Sequence, residues 1–458
     1  MAEEFVQVPP DSGGKKLHHK KYNDGVADVY APVVHVADRN DPTRQQTVAG
    51  DGSALTTFST GNPLFDSYGR LEMTDHNLLS EYKFYDGPKA VTGRIQEDTI
   101  GGGTITYSTF TNGYVLQNGA ALGDSAKITT HRHFPNRPGS ATTAYFTFSC
   151  SDAGKTGLRR IGGILSYART DGICVLLDGT DFMVRVDSTL NPSQVIQQAD
   201  WNGDRLDGTG GDNNRSGATL DFTKSTVWWI TYQFLGAGAV TVGTYVDGVP
   251  VVIHTFGHWA ALDRPYMATT DLCGFFEIEN YGSVGTTSEM TVFAAVMVSS
   301  GPDEMVKAPM SVGPLTKSLP DGVEVPFFSL RPAQTYQGVD NRQRYLFEMF
   351  SAITTAEPVV LTMYQNATLT GATYTESLLG LEWDTAATSF TGGHKFGSLL
   401  FSPTGNTTVD VSSLFNNMTD GLFRHADVTD TDVWTVCVQS LTGAATTVYA
   451  GSIVTEVS

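Results

Sequence analysis

Between Ser225 and Phe256 the chain alternates in a way that suits only a β-sheet. Trp228, Ile230, Tyr232 and Phe234 fall on one face at period two, and Val227, Trp229, Thr231 and Gln233 fall on the other. Both faces carry bulky side chains, which predicts a strand at the middle of a sandwich. Ala239 to Val246 and Val249 to Phe256 follow, separated by Asp247-Gly248. An Asp-Gly pair between two β-rich runs predicts a hairpin, because a type I′ turn needs positive φ at both central positions. The acidic, glycine-rich segment Asp200 to Gly208 opens this stretch, and Trp201, Trp228, Trp229 and Trp259 put four of the six tryptophans in or beside it. We place the centre of a large β-sandwich here.

The rest of the chain keeps the same rhythm. Runs such as Thr104 to Phe110, Lys127 to Phe134, Ala144 to Cys150, Ile161 to Tyr167, Ile173 to Leu177 and Phe182 to Val186 recur about every ten residues, as in sandwiches and barrels. Gly274 to Asn280 and Met290 to Val298 close the series, the latter almost wholly apolar. At 458 residues, two or three domains are expected. The prolines at 302, 309, 314 and 320 mark residues 301–325 as a linker, and residues 326–458 read as a smaller C-terminal β domain. A helix is considered only near Asp410 to Met418. Residues 1–60 read as an extended anchoring arm: Val6 and Val8 precede Pro9-Pro10, and Lys15, Lys16, Lys20 and Lys21 form its basic run. The expected class is all-β: an N-terminal arm, a large concanavalin-like or jelly-roll sandwich over 61–300, and a second sandwich.

Charge excludes some functions. Forty-eight acidic against 29 basic residues give a net charge of −19, the reverse of the footprint that displaces counterions from nucleic acid. No run of about 18 apolar residues occurs, so no membrane insertion is expected. The opening Met-Ala-Glu-Glu lacks the basic and apolar regions of a secretory signal, so synthesis in a cytoplasm is expected. Cys150, Cys174, Cys273 and Cys437 are widely spaced within apolar runs and read as small buried hydrophobes.

Four constellations could carry chemistry. Asp200, Asn202 and Asp204 have the spacing that lets alternate oxygens converge on a hard cation such as calcium, although Arg205 and Gly211 stand where an EF-hand needs Gly and Glu. The competing reading is a turn-rich loop whose side chains satisfy backbone amides. His131 and His133 would share a strand face, but no third ligand can be named. Asp178, Asp181, Asp187, Glu277 and Glu279 are loop or strand carboxylates from which a glycosidase pair could be drawn. Trp229 and Trp259 are the candidates for stacking on a ligand, with core packing as the alternative. No nucleophile elbow or zincin motif occurs, and no catalytic residue is assigned.

The series Gln198-Ala-Asp-Trp-Asn-Gly-Asp-Arg-Leu-Asp-Gly-Thr-Gly, the run Trp228-Trp-Ile-Thr-Tyr-Gln-Phe-Leu-Gly-Ala-Gly and the segment Phe276-Glu-Ile-Glu-Asn resemble structural proteins of tailed-bacteriophage virions. So do the opening Val6-Gln-Val-Pro-Pro-Asp-Ser-Gly-Gly and the late Asn366-Ala-Thr-Leu-Thr-Gly. The resemblance implies a non-enzymatic fibre, tail or head-surface protein located in the virion. It would form a homo-oligomer, with a trimer as the first expectation, and meet other virion proteins through its arm. Its outer domain would bind host surface glycan or simply decorate the particle. The alternatives are a tail-associated glycan-cleaving enzyme and a lectin-like carbohydrate-binding protein.

Overall fold

The computed structural model describes residues 4–6, 17–23, 28–33, 76–86, 95–131, 133–134, 141–234, 236–282, 285–300, 307–319, 322–376, 380–403, 407–410, 431–442 and 444–457. The segment considered for a helix, Asp410 to Met418, lies outside them but for its first residue, which ends a strand. Among the described residues every element is a strand apart from two 3-10 turns, Phe84–Asp86 and Gln198–Asp200. The chain divides into two compact units, residues 1–63 and 64–458.

In the first unit, Glu4–Val6, Leu17–Asn23 and Asp28–Val33 pair as a three-stranded antiparallel sheet. The expected extended arm is therefore a small meander, and Lys20 and Lys21 stand on its central strand. Strand pairing satisfies backbone groups that a lone extended segment would leave to water.

The second unit holds two sandwiches. In the larger, one sheet runs in spatial order Gln194–Gln197, Asp181–Asp187, Gly172–Asp178, Leu158–Leu165, Cys273–Asn280, Ser125–Thr130 and Ile95–Ile100. The facing sheet runs Val249–Phe256, Val240–Val246, Thr226–Tyr232, Thr142–Cys150, Glu289–Ser300, Gly113–Gln117 and Thr104–Ser108. His76–Lys83 adds an eighth strand beside Glu289–Ser300. The hairpin at Asp247-Gly248 forms as read, with φ of 51° and 77°. Its location differs from expectation: Val249–Phe256 is an edge, and the middle of this sheet is Thr142–Cys150 and Glu289–Ser300. The covered outer face that suggested a central strand comes from local packing. Trp229 lies where Gly243 leaves room, and a Cβ at 243 would collide with the indole.

Aromatic rings from both sheets interlock between them. Phe148 stacks on Trp228 at 6.2 Å, Phe182 packs on Phe222 at 4.5 Å and on Trp201 edge-to-face at 5.1 Å, and Phe146 meets Phe276 at 6.1 Å. Alternation delivers these rings: Phe146 and Phe148 are two apart, as are Phe276 and Ile278, and all four belong to one buried cluster.

The second sandwich corrects the linker at 301–325. Lys307–Leu319 is a thirteen-residue strand pairing with Thr446–Val457, which in turn pairs with Arg344–Thr354. Its prolines misled the sequence reading because this is an edge strand, where a missing N–H costs no ladder bond on the open side. Thr407–Asp410 completes that four-stranded sheet. The opposing six strands are Thr375–Glu376, Leu381–Asp384, Val325–Pro332, Trp434–Ser440, Val359–Gln365 and His394–Phe401. Phe328, Phe347, Phe350 and Trp434 fill the space between. Arg342 of this sandwich reaches the Asp271 carboxylate of the first at 3.5 Å.

Candidate functional site

The richest gathering of ionisable side chains lies on the outer face of the seven-stranded sheet. On Cys273–Asn280, Phe276 and Ile278 enter the core, so Glu277 and Glu279 point the other way. Register then places Glu277 opposite Lys127 and Ile161, Glu279 opposite Arg159, Arg159 opposite Asp178, and Lys127 opposite Asp98. Cross-strand neighbours of opposite sign pair, Lys127 with Asp98 at 3.2 Å and Arg159 with Asp178 at 3.0 Å, and Arg185 pairs with Asp187, two residues on along its own strand, at 2.8 Å.

The hairpin Ser166 to Asp171 reaches back over this face. The Ser166 hydroxyl accepts the N–H groups of Thr170 and Asp171, and Arg169 sits at φ 59°. Arg169 Nη1 contacts Glu277 at 2.5 Å and Glu279 at 2.7 Å. Tyr167 donates its hydroxyl to Asp98 at 2.9 Å, and the Lys127 ammonium stands 3.7 Å from its ring centroid. The hairpin emerges beyond Leu165, whereas Glu277 pairs with Ile161, so Arg169 crosses the row formed by Gly163 and Phe275. That row belongs to a second apolar cluster, in which Ile161, Leu165, Cys174, Leu176 and Phe275 are all buried. The base of the hairpin is fixed by the Asp171 carboxylate, which accepts from Thr189 N–H and hydroxyl and from Ala268 N–H.

This arrangement bears on the carboxylates singled out for acid–base work. Glu277 and Glu279 lie within about 5 Å of each other because both touch one nitrogen, a separation at which one acid of a retaining pair could attack. Burial pushes the Glu277 carboxyl above its usual range, against the pull of Arg169. The guanidinium, however, occupies the space between the two. Asp178 is held by Arg159, and Asp187 by Arg185 and the Ser193 hydroxyl. As folded, these groups neutralise one another.

The expected calcium ligands do not come together. The Asn202 side chain exchanges two hydrogen bonds with the Thr255 backbone, both at 2.8 Å. Asp204 is buried and accepts from the N–H groups of Leu206 and Ser216 at 3.0 and 2.7 Å. Asp200 stands exposed at the end of a 3-10 turn. The loop uses its oxygens to satisfy backbone amides, and among the described residues no group of three His, Cys, Asp or Glu could hold a metal. Asp207 does the same job, its carboxyl held down to about 2 by the Thr209 hydroxyl, the Asn214 amide and the Thr209 N–H. The neighbouring His254 ring is buried, which lowers it to about 4, and its Nδ1 accepts from Asn202 N–H at 3.3 Å.

The other candidates separate cleanly. Trp229 is buried and donates its indole N–H to the Thr244 carbonyl at 3.3 Å, so it is no ligand contact. Trp259 is 91% exposed and keeps that role open. We expect Trp229→Ala to cost about 3–5 kcal/mol and Trp259→Ala to stay within about 0.5 kcal/mol of the parent; chemical denaturation separates the two. His131 and His133 lie past the end of Ser125–Thr130, so the shared-face argument does not apply to them. All four cysteines are free and buried, and burial pushes the Cys150 and Cys273 thiols up to about 12. Val8, Lys15 and Lys16 lie outside the described residues; Val6 ends a strand of the N-terminal sheet.

Sequence reasoning missed one buried charge. Arg160 turns into the sandwich interior, where its side chain is fully buried and pairs with Asp152 at 2.6 Å. Asp152 also accepts from the Ser288 hydroxyl at 2.8 Å. The signal was present in Arg159-Arg160: two adjacent arginines on one strand must face opposite sides.

No protein-family model matches the chain, and no curated protein matches it. Among solved structures it is similar to one described under endo-acting O-glycanases of the human gut microbiota that initiate mucin breakdown, at 14% identity and TM-score 0.34, over 49% of this chain and 99% of that one. It is also similar to a legume lectin-like domain from Entamoeba histolytica, at 12% identity and TM-score 0.30 over 49% and 98%. Arcelin-5, a lectin-like defense protein from Phaseolus vulgaris, gives 11% and 0.29 over 48% and 97%. The class is that of an all-β protein built on antiparallel β-sandwiches.

Proposed function

We propose that this protein is a non-enzymatic structural component of a bacteriophage virion, a fibre, tail or head-surface protein, that assembles with its own copies and attaches through its N-terminal unit. The observation that carries this reading is the division of the chain at residue 63, which sets apart a small sheet with Lys20 and Lys21 on its central strand. A local run of lysines, with Lys20 and Lys21 on the central strand, on a chain of net charge −19 suits docking to an acidic neighbour in the particle. The pairing of Glu277, Glu279, Asp178 and Asp187 with arginines supports a structural rather than a hydrolytic use of the larger sandwich.

The test is a chain lacking residues 1–63, supplied during particle assembly. It is expected to fold with an unchanged β signature and melting temperature yet to be absent from purified particles. Incorporation at the full-length level would sink the attachment role. Incubating the full chain with host polysaccharide tests the enzyme alternative, which gains if reducing ends appear and Glu277→Gln abolishes them. Binding without turnover, lost in Trp259→Ala, would favour the lectin-like alternative.

A further inference from the structure

Among the described residues, the outward face of the four-stranded sheet in the second sandwich carries an exposed apolar patch. On Arg344–Thr354 the side chains of Met349, Ser351 and Ile353 point outward, and on Thr446–Val457 those of Tyr449 and Ile453 do. Register sets Met349 beside Ile453, Ser351 beside Gly451, and Ile353 beside Tyr449. The four large residues are 36–45% exposed. They form ridges on either side of a trough floored by Ser351 and Gly451, and the resulting groove measures about 450 Å³. None of its described lining residues is charged.

The geometry points to a second copy of this chain as the occupant, packed face to face. This rests on the homo-oligomer of the proposed function and names its surface. Charge decides the partner. A basic or acidic ligand would be met by charged side chains, and this groove offers none, whereas a like-charged copy at −19 can approach closely only where both surfaces are neutral. Shape agrees, since a face that alternates bulky pairs with a small pair can seat its own ridges in its own trough about a two-fold axis. Size is compatible: the three long strands of 11–13 residues span roughly 40 by 15 Å, about 600 Å² against the ~800 Å² per partner of a standard interface, with the uncharged groove as one part of that face and Arg344 and Glu348 outside it. Edge-to-edge pairing is hindered on the Lys307–Leu319 side by Pro309, Pro314 and a register shift. The proposed two-fold differs from the trimer expected from the sequence, and the solution mass separates them.

Sedimentation equilibrium of the full chain over a concentration series tests this. The parent is expected at twice 49.3 kDa. Ile353→Glu and Tyr449→Glu place like charges across the axis and are expected to raise the dissociation constant at least about a hundredfold. Gly451→Phe is the second arm. A Cβ there meets Val312 O and Ser351 Oγ at 3.7 and 3.8 Å, ordinary contact, so the ring fills the trough without entering the core. It too is expected to give monomers, with an unchanged melting temperature at dilutions where the parent is monomeric. A monomeric or trimeric parent overturns the proposal, as does a dimer whose mass Ile353→Glu and Gly451→Phe leave unchanged. In that last case self-association survives and only the surface falls, and failure of particle incorporation after loss of residues 1–63 is read separately.

Discussion

Arg160→Ala is expected to destabilise the larger sandwich by about 3–5 kcal/mol, because it strands a partly buried carboxylate inside the protein and leaves a void. The arginine side chain is fully buried and Asp152 is 24% exposed. Its Nε and Nη1 have no hydrogen-bond partner among the described residues, so the pair holds this site at a cost that an apolar side chain would not incur. Arg160→Met with Asp152→Asn is accordingly expected to lie within about 1 kcal/mol of the parent, since apolar replacement of a buried ion pair is often neutral. Denaturation midpoints at constant m-value measure both. An alanine variant as stable as the parent would show that the pair bears no weight.

The pair also sets an acid limit. Burial raises the Asp152 carboxyl, but the Ser288 hydroxyl, the Arg160 charge and the Gly154 N–H outweigh it and hold it below 3.8. A carboxylate depressed in the folded state gives stability that is present above its unfolded value and is lost as pH falls through the folded one. Acid unfolding of the parent should therefore gain part of its steepness below pH 3.8, and the double variant should lose that part.

Arg169→Met is expected to cost about 3 kcal/mol at neutral pH, the lower end for a broken buried pair because the guanidinium keeps some solvent. Two carboxylates two residues apart then face each other unneutralised. Glu277 is already raised above 4.5 by burial, so its folded form binds protons more readily than the unfolded chain. Stability from such a group is greatest at low pH and is lost as pH rises through the window that begins near 4.5. In Arg169→Met that window widens upward, so the variant should regain most of its loss as pH falls from 7 towards 4.5. A stability difference from the parent that is flat across this range would mean that the hairpin contributes by packing alone. Any glycan-cleaving activity that appears in the variant would mark Arg169 as the block on Glu277 and Glu279.

Local pattern and distant pairing explain what the sequence disclosed. The alternation at Trp228, Ile230 and Tyr232 and the Asp247-Gly248 turn are carried by neighbouring residues, and both are found as read. The four cysteines are buried as their apolar surroundings imply. Sheet order is a different matter, for bulky residues on both faces of 226–232 look the same whether another strand or a glycine such as Gly243 makes the room. Pro309 and Pro314 look like linker residues until an edge position is known. The Arg169 to Glu277 contact joins residues 108 apart, and no spacing rule reaches that far. The loop at 200–216 offered calcium-like spacing because turns and cation loops draw on the same Asp, Asn and Gly residues for the same reason, oxygens turned toward nearby donors.

The position of Glu289–Ser300 has a consequence for how the protein is made. This strand lies between Thr142–Cys150 and two strands that precede residue 120, so the larger sandwich cannot close until residue 300 has left the ribosome. At roughly 5–20 residues per second, the apolar flank of Thr142–Cys150 waits on the order of ten to thirty seconds for its partner. The second sandwich waits likewise for Thr446–Val457, which enters between two strands already synthesised. Chains interrupted before Val457 would expose sticky, unpaired edges and be open to proteolysis, so that only polypeptides synthesised through Val457 would complete the second sandwich.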